Sequence, residues 1–347
     1  MIQALTSLSA IPYIPLNQPN SLPTLFDLAN MPKLVSVIGA TGIQGGSVVR
    51  ALLSDDAYTV RAITRNSKSE AAVSLRDLGA EVVQADLNDI ASLQAAFVGS
   101  YAIFAATNFF EPFATLGVDN AIDTESTQGI NLAKAAATTS TLQHYIWSTL
   151  PNAAQISQGK AVIPHFVSKN KVDDYIRSDP ELLRKTTFLW VTMYASNLQY
   201  PFYKPIAIPS AGPDKYIQLL ATPSSVPFTL IGDARTNVGL FARAILDQPQ
   251  TTLPARFVLG ATDQMTAGEL LSLWASVKGK KAEYIMVSKQ TYYNLWPGWA
   301  ELMDAAHTYW ELVQEKSYSG EDVLVTKEDL GIVGLVDTAA AIARMEM

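Results

Sequence analysis

From Leu34 to Thr192 the chain alternates short apolar runs with longer amphipathic ones. Leu34–Ile38, Thr59–Thr64, Glu81–Gln84, Tyr101–Ala105, His144–Ser148 and Phe188–Thr192 are compact, rich in β-branched and aromatic residues, and read as strands. The stretches between them read as helices. Gln44–Leu53 gathers Val48, Val49, Leu52 and Leu53 on one side, and Ser67–Leu78 opens on Ser67-Lys68-Ser69-Glu70, the spacing of a capping box. Asp89–Phe97 begins with an acidic cap, Val118–Thr138 is long and alanine-rich, and Val167–Arg177 leads into the sixth strand. Strands alternating with helices at this spacing predict an α/β fold built on a Rossmann-like, doubly wound parallel sheet. Right-handed crossovers then place the strand carboxyl ends on one rim, where ligands bind.

Beyond Met193 the pattern breaks, with six prolines between Pro201 and Pro227. Thr236–Asp247, Thr266–Lys278 and the aromatic-rich Gln290–Glu315 read as helical, Arg256–Gly260 and Ala282–Val287 as strands. The expected plan is an irregular extension over 1–31, a dinucleotide-type Rossmann domain over 32–198, and a smaller α/β lobe over 199–347 that lies over the rim and has room for late elements of the first sheet. The extension holds Pro12, Pro15, Pro19 and Pro23 and no Lys or Arg, so it lacks the basic region of a signal or transit peptide. It is either a dispensable lead-in ahead of Met31 or an arm packed on the surface.

Composition narrows the classes of function. The 347 residues are 48% hydrophobic and 16% charged, enough for one large or two modest globular domains. The net charge is −7 with both signs scattered and no basic block, which argues against direct nucleic-acid binding. The absence of cysteine excludes disulfides, thiolate metal sites and thiol-based redox sensing. His144, His165 and His307 are the only histidines, so no metal centre is expected. No run reaches the roughly 18 apolar residues of a membrane span, and no membrane partner is expected. The expected compartment is a reducing cytosol, with the nucleus as a second location.

The candidate chemistry begins where the first strand ends. Gly39-Ala40-Thr41-Gly42-Ile43-Gln44-Gly45-Gly46 places glycines at G-x-x-G-x-x-G between a strand and a helix, the order a dinucleotide site requires. Gly39 allows a tight exit from the strand, Gly42 lets the backbone approach a pyrophosphate, and Gly45 or Gly46 lets the helix pack against the sheet. Thr41, Ile43 and Gln44 lie on the same phosphate-facing turn. The second strand ends in Thr64-Arg65-Asn66-Ser67-Lys68, where NAD sites usually carry an acid. Here two cations stand instead, and Arg65 with Lys68, beside Asn66, suits the 2′-phosphate of NADP(H). The other reading is a solvated loop arginine. Asp86-Leu87 follows the third strand, where adenine lies; Asp86 either pairs with the exocyclic amine or caps the next helix. Ala105-Ala106-Thr107-Asn108-Phe109 ends the fourth strand, with small residues for a ribose to lie against and Thr107 and Asn108 to hydrogen-bond it.

These residues resemble the short-chain dehydrogenase/reductase superfamily and, more closely, its NmrA-like atypical branch. The resemblance runs from Lys33 to about Leu198 and is carried by GATGIQGG at 39–46, TRNSKS at 64–69, ADL at 85–87, TNFFEP at 107–112, TQGINLAKAA at 127–136 and PHFVSKNKVDDYIR at 164–177. It implies an NADP(H) cofactor. Ordinary members of the superfamily use Tyr-x-x-x-Lys after the fifth strand; here the stretch reads His165-Phe166-Val167-Ser168-Lys169. By that resemblance Lys169 holds the nicotinamide ribose. His165 stands where the tyrosine would be, as a general acid or as a plain helix entry after Pro164. Ser148 either orients a substrate carbonyl or is a strand-end hydroxyl. Tyr194 and Asn197 lie on the segment that closes over the nicotinamide in this family. Tyr200, Phe202, Tyr203, Tyr292, Tyr293, Trp296, Trp299, Tyr309 and Trp310 either line a flat apolar substrate pocket or form core.

Two functions follow from the resemblance. One is an NADP(H)-dependent oxidoreductase transferring a hydride to or from a carbonyl or conjugated double bond of a small, apolar or aromatic substrate. The other is a non-catalytic NADP(H) sensor acting through protein partners. The missing tyrosine favours the sensor, and the enzyme is the first reading. A homodimer through an exposed helix face is compatible with either.

Overall fold

A computed structural model describes residues 32–321 and 323–346. The extension expected over 1–31 lies outside the described residues. Eight strands form the central sheet: β1 (Lys33–Ile38), β2 (Tyr58–Thr64), β3 (Glu81–Gln84), β4 (Ala102–Ala105), β5 (His144–Thr149), β6 (Thr186–Val191), β7 (Arg256–Gly260) and β8 (Leu324–Val325). Their order is β8-β7-β6-β5-β4-β1-β2-β3, and every neighbouring pair is parallel. The order runs outward in both directions from β1, so the crevice between β1 and β4 is the topological switch point at which such sheets bind ligands.

Helices cover both faces, which is why β5 and β6 are buried along their whole length. Alternation along β1 sorts the two layers. Val35 and Val37 face Val48, Val49 and Leu52 of α1 (Ile43–Leu53), while Ile38 faces the layer that holds Leu93, Leu132, Trp147 and Val172. That second layer is built by α3 (Ile90–Phe97), α5 (Val118–Ala137) and α6 (Pro164–Arg177). Two further helices bear on the site: α2 (Glu70–Asp77) and α4 (Phe110–Leu116).

Several boundaries shift from expectation for local reasons. The cap of α2 is Ser69, whose hydroxyl accepts from the Ala72 amide, so Ser67-Lys68 belongs to the preceding turn. Helix α6 begins at Pro164, whose missing amide is harmless in a first turn. Beyond residue 199 the chain returns to the large sheet. Helix α7 (Ala234–Asp247) packs on α1, and the Gly239 amide donates to Ser47 Oγ at 2.8 Å. An ideal Cβ on Gly239 would stand 2.3 Å from the Ser47 carbonyl oxygen, so glycine sets the closeness of that crossing. Strands β7 and β8 extend the sheet past β6.

The remaining elements form two three-stranded sheets. One joins Asp263–Thr266, Pro227–Gly232 and Met193–Tyr194; the other joins Lys281–Met286, Lys215–Leu220 and Ile206–Ala207. They share an apolar cluster with the helices Ala267–Lys278 and Trp299–Val313. Most of the second-lobe aromatics belong to that core: Phe202, Tyr203, Tyr292, Tyr309 and Trp310 are buried, whereas Tyr200 is exposed. Among the described residues no helix is long and apolar enough to cross a membrane.

Candidate functional site

The glycine turn follows β1, and each glycine has its own physical reason. Gly39 adopts φ +63°, a conformation that side chains disfavour. Gly42 is the N-cap of α1 with φ −88°, so it is there for space and not for conformation: an ideal Cβ would lie 3.2 Å from the Gly39 oxygen. Gly45 is the close-packing glycine. Its Cβ would lie 2.3 Å from the Gly39 oxygen and 2.7 Å from the Ile38 oxygen, while at Gly46 the nearest backbone atom is 3.1 Å away. Helix α1 has no side-chain cap and no acid in its first turn, which leaves its first amides and positive end open to an anion. A pyrophosphate fits this cradle. Gly45→Ala is therefore expected to push α1 off the strand exit, lowering stability by about 1–3 kcal/mol and dinucleotide affinity at least about tenfold. Thermal melts and cofactor titration check this, and an unchanged melting temperature would mean that the turn relaxes freely.

Gln44 links two other elements to the turn. Its amide nitrogen donates to the Tyr194 hydroxyl at 2.8 Å, and its carbonyl accepts from Ser148 Oγ at 2.7 Å. Ser148 and Tyr194, expected separately from sequence, thus meet through one side chain at the end of β5. Burial pushes the Tyr194 phenol up to about 12, against the pull of the Gln44 hydrogen bond. Thr41 is exposed on the turn, Ile43 is half-buried, and Asn197 is half-buried in the short helix Ala195–Gln199.

At the end of β2, Arg65, Asn66 and Lys68 are exposed. Asn66 shapes the turn by accepting from the Lys68 amide at 3.0 Å. Arg65 makes two parallel bonds to the carboxylate of Glu111, the second residue of α4, at 2.7 and 3.0 Å, and this partner favours its charged form. Asp86 closes a local turn, accepting from the backbone and side-chain nitrogens of Asn88 at 2.9 and 3.0 Å. The cap of α3 is Asp89, so capping, one of the two roles read for Asp86, falls to a different acid. The Leu87 carbonyl accepts from Asn131 of α5 at 2.9 Å. Asn108 accepts from the Phe110 amide at the start of α4, and Phe109 is buried beside Phe113.

The end of β4 meets α5 and α6 in a buried polar network. Lys169 Nζ donates to Glu125 Oε1 at 2.8 Å, to Thr107 Oγ1 at 2.8 Å and to the Thr107 carbonyl at 3.3 Å. Thr107 Oγ1 also donates to Glu125 Oε1, and Ser168 donates to Glu125 Oε2. The Glu125 side chain is fully buried and that of Lys169 is 10% exposed. Sequence reasoning placed Lys169 and Thr107 here and missed Glu125. Its signal was periodicity: Ala121, Glu125 and Gly129 recur every fourth residue along the buried stripe of α5.

His165, the other residue expected at this point, is one turn before Lys169 on α6. Its ring is surrounded by Phe109, Phe110 and Phe166, and Nδ1 is buried with no partner among the described residues. Burial, with the Lys169 charge behind it, lowers its pKa to about 3. The lowered pKa favours the neutral imidazole, whose remaining ring N–H is a far weaker acid than an imidazolium.

The family model for the NmrA-like family matches residues 31–338. Among relatives, an NmrA-like family domain-containing oxidoreductase, hkm9 of Aspergillus hancockii, is 31% identical over 262 residues, 73% of this chain and 74% of that protein. Other relatives of the same description from Aspergillus match over only 40–41% of their own length. Among solved structures, NmrA, a negative transcriptional regulator, in complex with NADP superposes with a TM-score of 0.70 at 20% identity, covering 91% of this chain and 95% of that one; the same regulator in complex with NAD gives 0.71 at 21%. The Citrobacter sp. triphenylmethane reductase complexed with NADP(H) gives 0.64 at 22%, covering 90% and 98%. At these identities the structures support the fold.

Proposed function

The chain belongs to the NmrA-like family, and from that premise we propose that it is an NADP(H)-dependent oxidoreductase acting on a carbonyl or conjugated double bond of a small apolar or aromatic substrate. The observation that carries the reading is the convergence at one sheet rim of the uncapped N-terminus of α1, the Ser148–Gln44–Tyr194 chain and Lys169. The bound nicotinamide supplies the hydride chemistry. The chain's residues do the rest. The first turn of α1 receives the pyrophosphate, and Arg65 with Lys68 favours a 2′-phosphate. Lys169 fixes Thr107 at the end of β4 for the ribose, and Ser148 and Tyr194 orient the acceptor group. With His165 neutral, the proton comes from water or from a substrate hydroxyl. Phe110 and Trp299, whose rings stack 6.1 Å apart at the edge of the site, offer a flat surface to an aromatic substrate.

One observation favours a second reading, a redox sensor. The ammonium of Lys169 has acceptors for all three protons within the chain, and no titrating acid stands one turn before it. Anaerobic incubation with NADPH and a panel of aromatic ketones, quinones and enones separates the two. Cofactor oxidation with at least one acceptor is expected. No turnover with any of them, together with tight binding that distinguishes oxidised from reduced cofactor, establishes the sensor instead.

A further inference from the structure

The pairing of Arg65 with Glu111 changes what the ribose end of the site recognises. Strand order places β1 between β2 and β4, and the glycine turn follows β1. Arg65 follows β2 and Glu111 follows β4. Their ion pair therefore bridges the two loops that flank the glycine turn. The end of β2 is where dinucleotide folds read the adenosine ribose, with an acid for the hydroxyls of NAD or an arginine for the 2′-phosphate of NADP. The Ala62-Ile63-Thr64-Arg65 stretch supplies only the arginine. Glu111 delivers the acid from a different element, onto the same guanidinium.

We infer that Glu111 is a specificity-determining residue that competes with the 2′-phosphate for Arg65 and favours the unphosphorylated ribose. The pair is bidentate, 2.7 and 3.0 Å, so one full edge of the guanidinium is engaged by carboxylate. Side-chain exposures of 67% for Arg65 and 54% for Glu111 mean that solvent and ligand reach both, and an exposed pair of this kind is opened at little cost. A phosphate arriving at Arg65 must displace this carboxylate or share the arginine with it, and the two anions repel. A ribose hydroxyl meets no such repulsion and can donate to the carboxylate. Arg65 and Glu111 then set opposite preferences within one site, and the balance between NADP and NAD depends on both. The Glu111 side chain suits this competition: it is exposed and can swing aside from Arg65 while α4 keeps Phe113 packed on the core.

The inference rests on the proposed dinucleotide site, and its test keeps the two apart. NADP+ and NAD+ are titrated calorimetrically into the full chain, into Glu111→Gln and into Arg65→Ala, with melting curves to confirm folding of the two surface variants. Glu111→Gln is expected to raise the preference for NADP+ over NAD+ about tenfold, mainly by tightening NADP+. Arg65→Ala is expected to cut the preference severalfold, leaving what Lys68 supplies. An unchanged preference in Glu111→Gln, with the expected loss in Arg65→Ala, overturns the inference and leaves the dinucleotide site standing. No change of preference in Arg65→Ala overturns it as well, because the phosphate is then read elsewhere. No binding of either dinucleotide by the unaltered chain removes both the inference and the site.

Discussion

Glu125→Ala is expected to destabilise the protein by about 3–5 kcal/mol, because it leaves the buried Lys169 ammonium without its anion. The loss is not confined to the ion pair. Ser168 and Thr107 both donate to the same carboxylate, so their hydroxyls lose that acceptor. Trp147, whose ring lies 5.4 Å from Lys169 Nζ, offers only a weak substitute. The comparison that identifies the mechanism is the double variant Glu125→Leu with Lys169→Met. It removes both charges together and is expected to be more stable than either single variant predicts by addition. Urea denaturation of the parent, Glu125→Leu, Lys169→Met and the double variant measures this. A Glu125→Ala variant within about 1 kcal/mol of the parent, which is the range of an exposed pair, would refute the buried-network account. If the double variant stays folded, weakened dinucleotide binding is expected, through loss of Lys169 itself and of its hold on Thr107.

The central sheet was legible because its strands are short runs rich in β-branched and aromatic residues between helical stretches, and β1 to β6 fall where those runs do, within about two residues. The glycine turn was legible for the same local reason: conformation and close packing act over a few residues, and Gly39, Gly42 and Gly45 each meet a constraint that spacing alone exposes. Pairings that join distant segments were not legible. Glu111 lies 46 residues from Arg65 and Glu125 lies 44 from Lys169. Nothing in the sequence of TNFFEP says that its acid turns toward the end of β2; that follows from strand order. Glu125 left a trace, an acid on the buried stripe of an alanine-rich helix, which only an ion partner makes tolerable. For His165 the spacing gave the position on α6 correctly, whereas its protonation state depends on aromatic neighbours from α4 and on the Lys169 charge. Position along a helix is a local property, and a pKa is not.

Acidification from pH 6 to 4.5 is expected to remove about 4 kcal/mol of stability, and the sign follows from the buried His144, His307 and Asp173 and the half-buried His165. Burial lowers His144 to about 3, His165 to about 3 and His307 to about 4, while each titrates near 6.5 once unfolded. Below pH 6.5 the unfolded chain therefore takes up three protons that the folded chain refuses, and folding weakens as pH falls. Asp173 opposes this. Burial raises it to about 7, against hydrogen bonds from Thr149 and Trp147, so the folded chain holds a proton there that the unfolded chain releases above about pH 4. The balance is two protons gained on unfolding, or about 3 kcal/mol per pH unit. The geometry explains the refusal. Each histidine has a buried Nδ1 without an acceptor among the described residues, so protonation there creates a donor with nothing to meet. At His144 the tautomer is fixed as well: Thr187 donates its hydroxyl to the Thr252 carbonyl, so His144 Nε2 must be the donor to Thr187 and Nδ1 the bare nitrogen. The carboxylates held below their ordinary range, Asp214, Glu269 and Asp329, lose their contributions only toward the acid end of this window and below it. Urea melts at half-unit pH intervals measure the slope. His307→Phe, which fills the space beside Phe228 and Trp310, is expected to lower it by one proton, and Asp173→Asn to raise it by one. A flat profile between pH 6 and 4.5, or a slope unmoved by both substitutions, would show that these side chains titrate normally in the folded protein and that water reaches them.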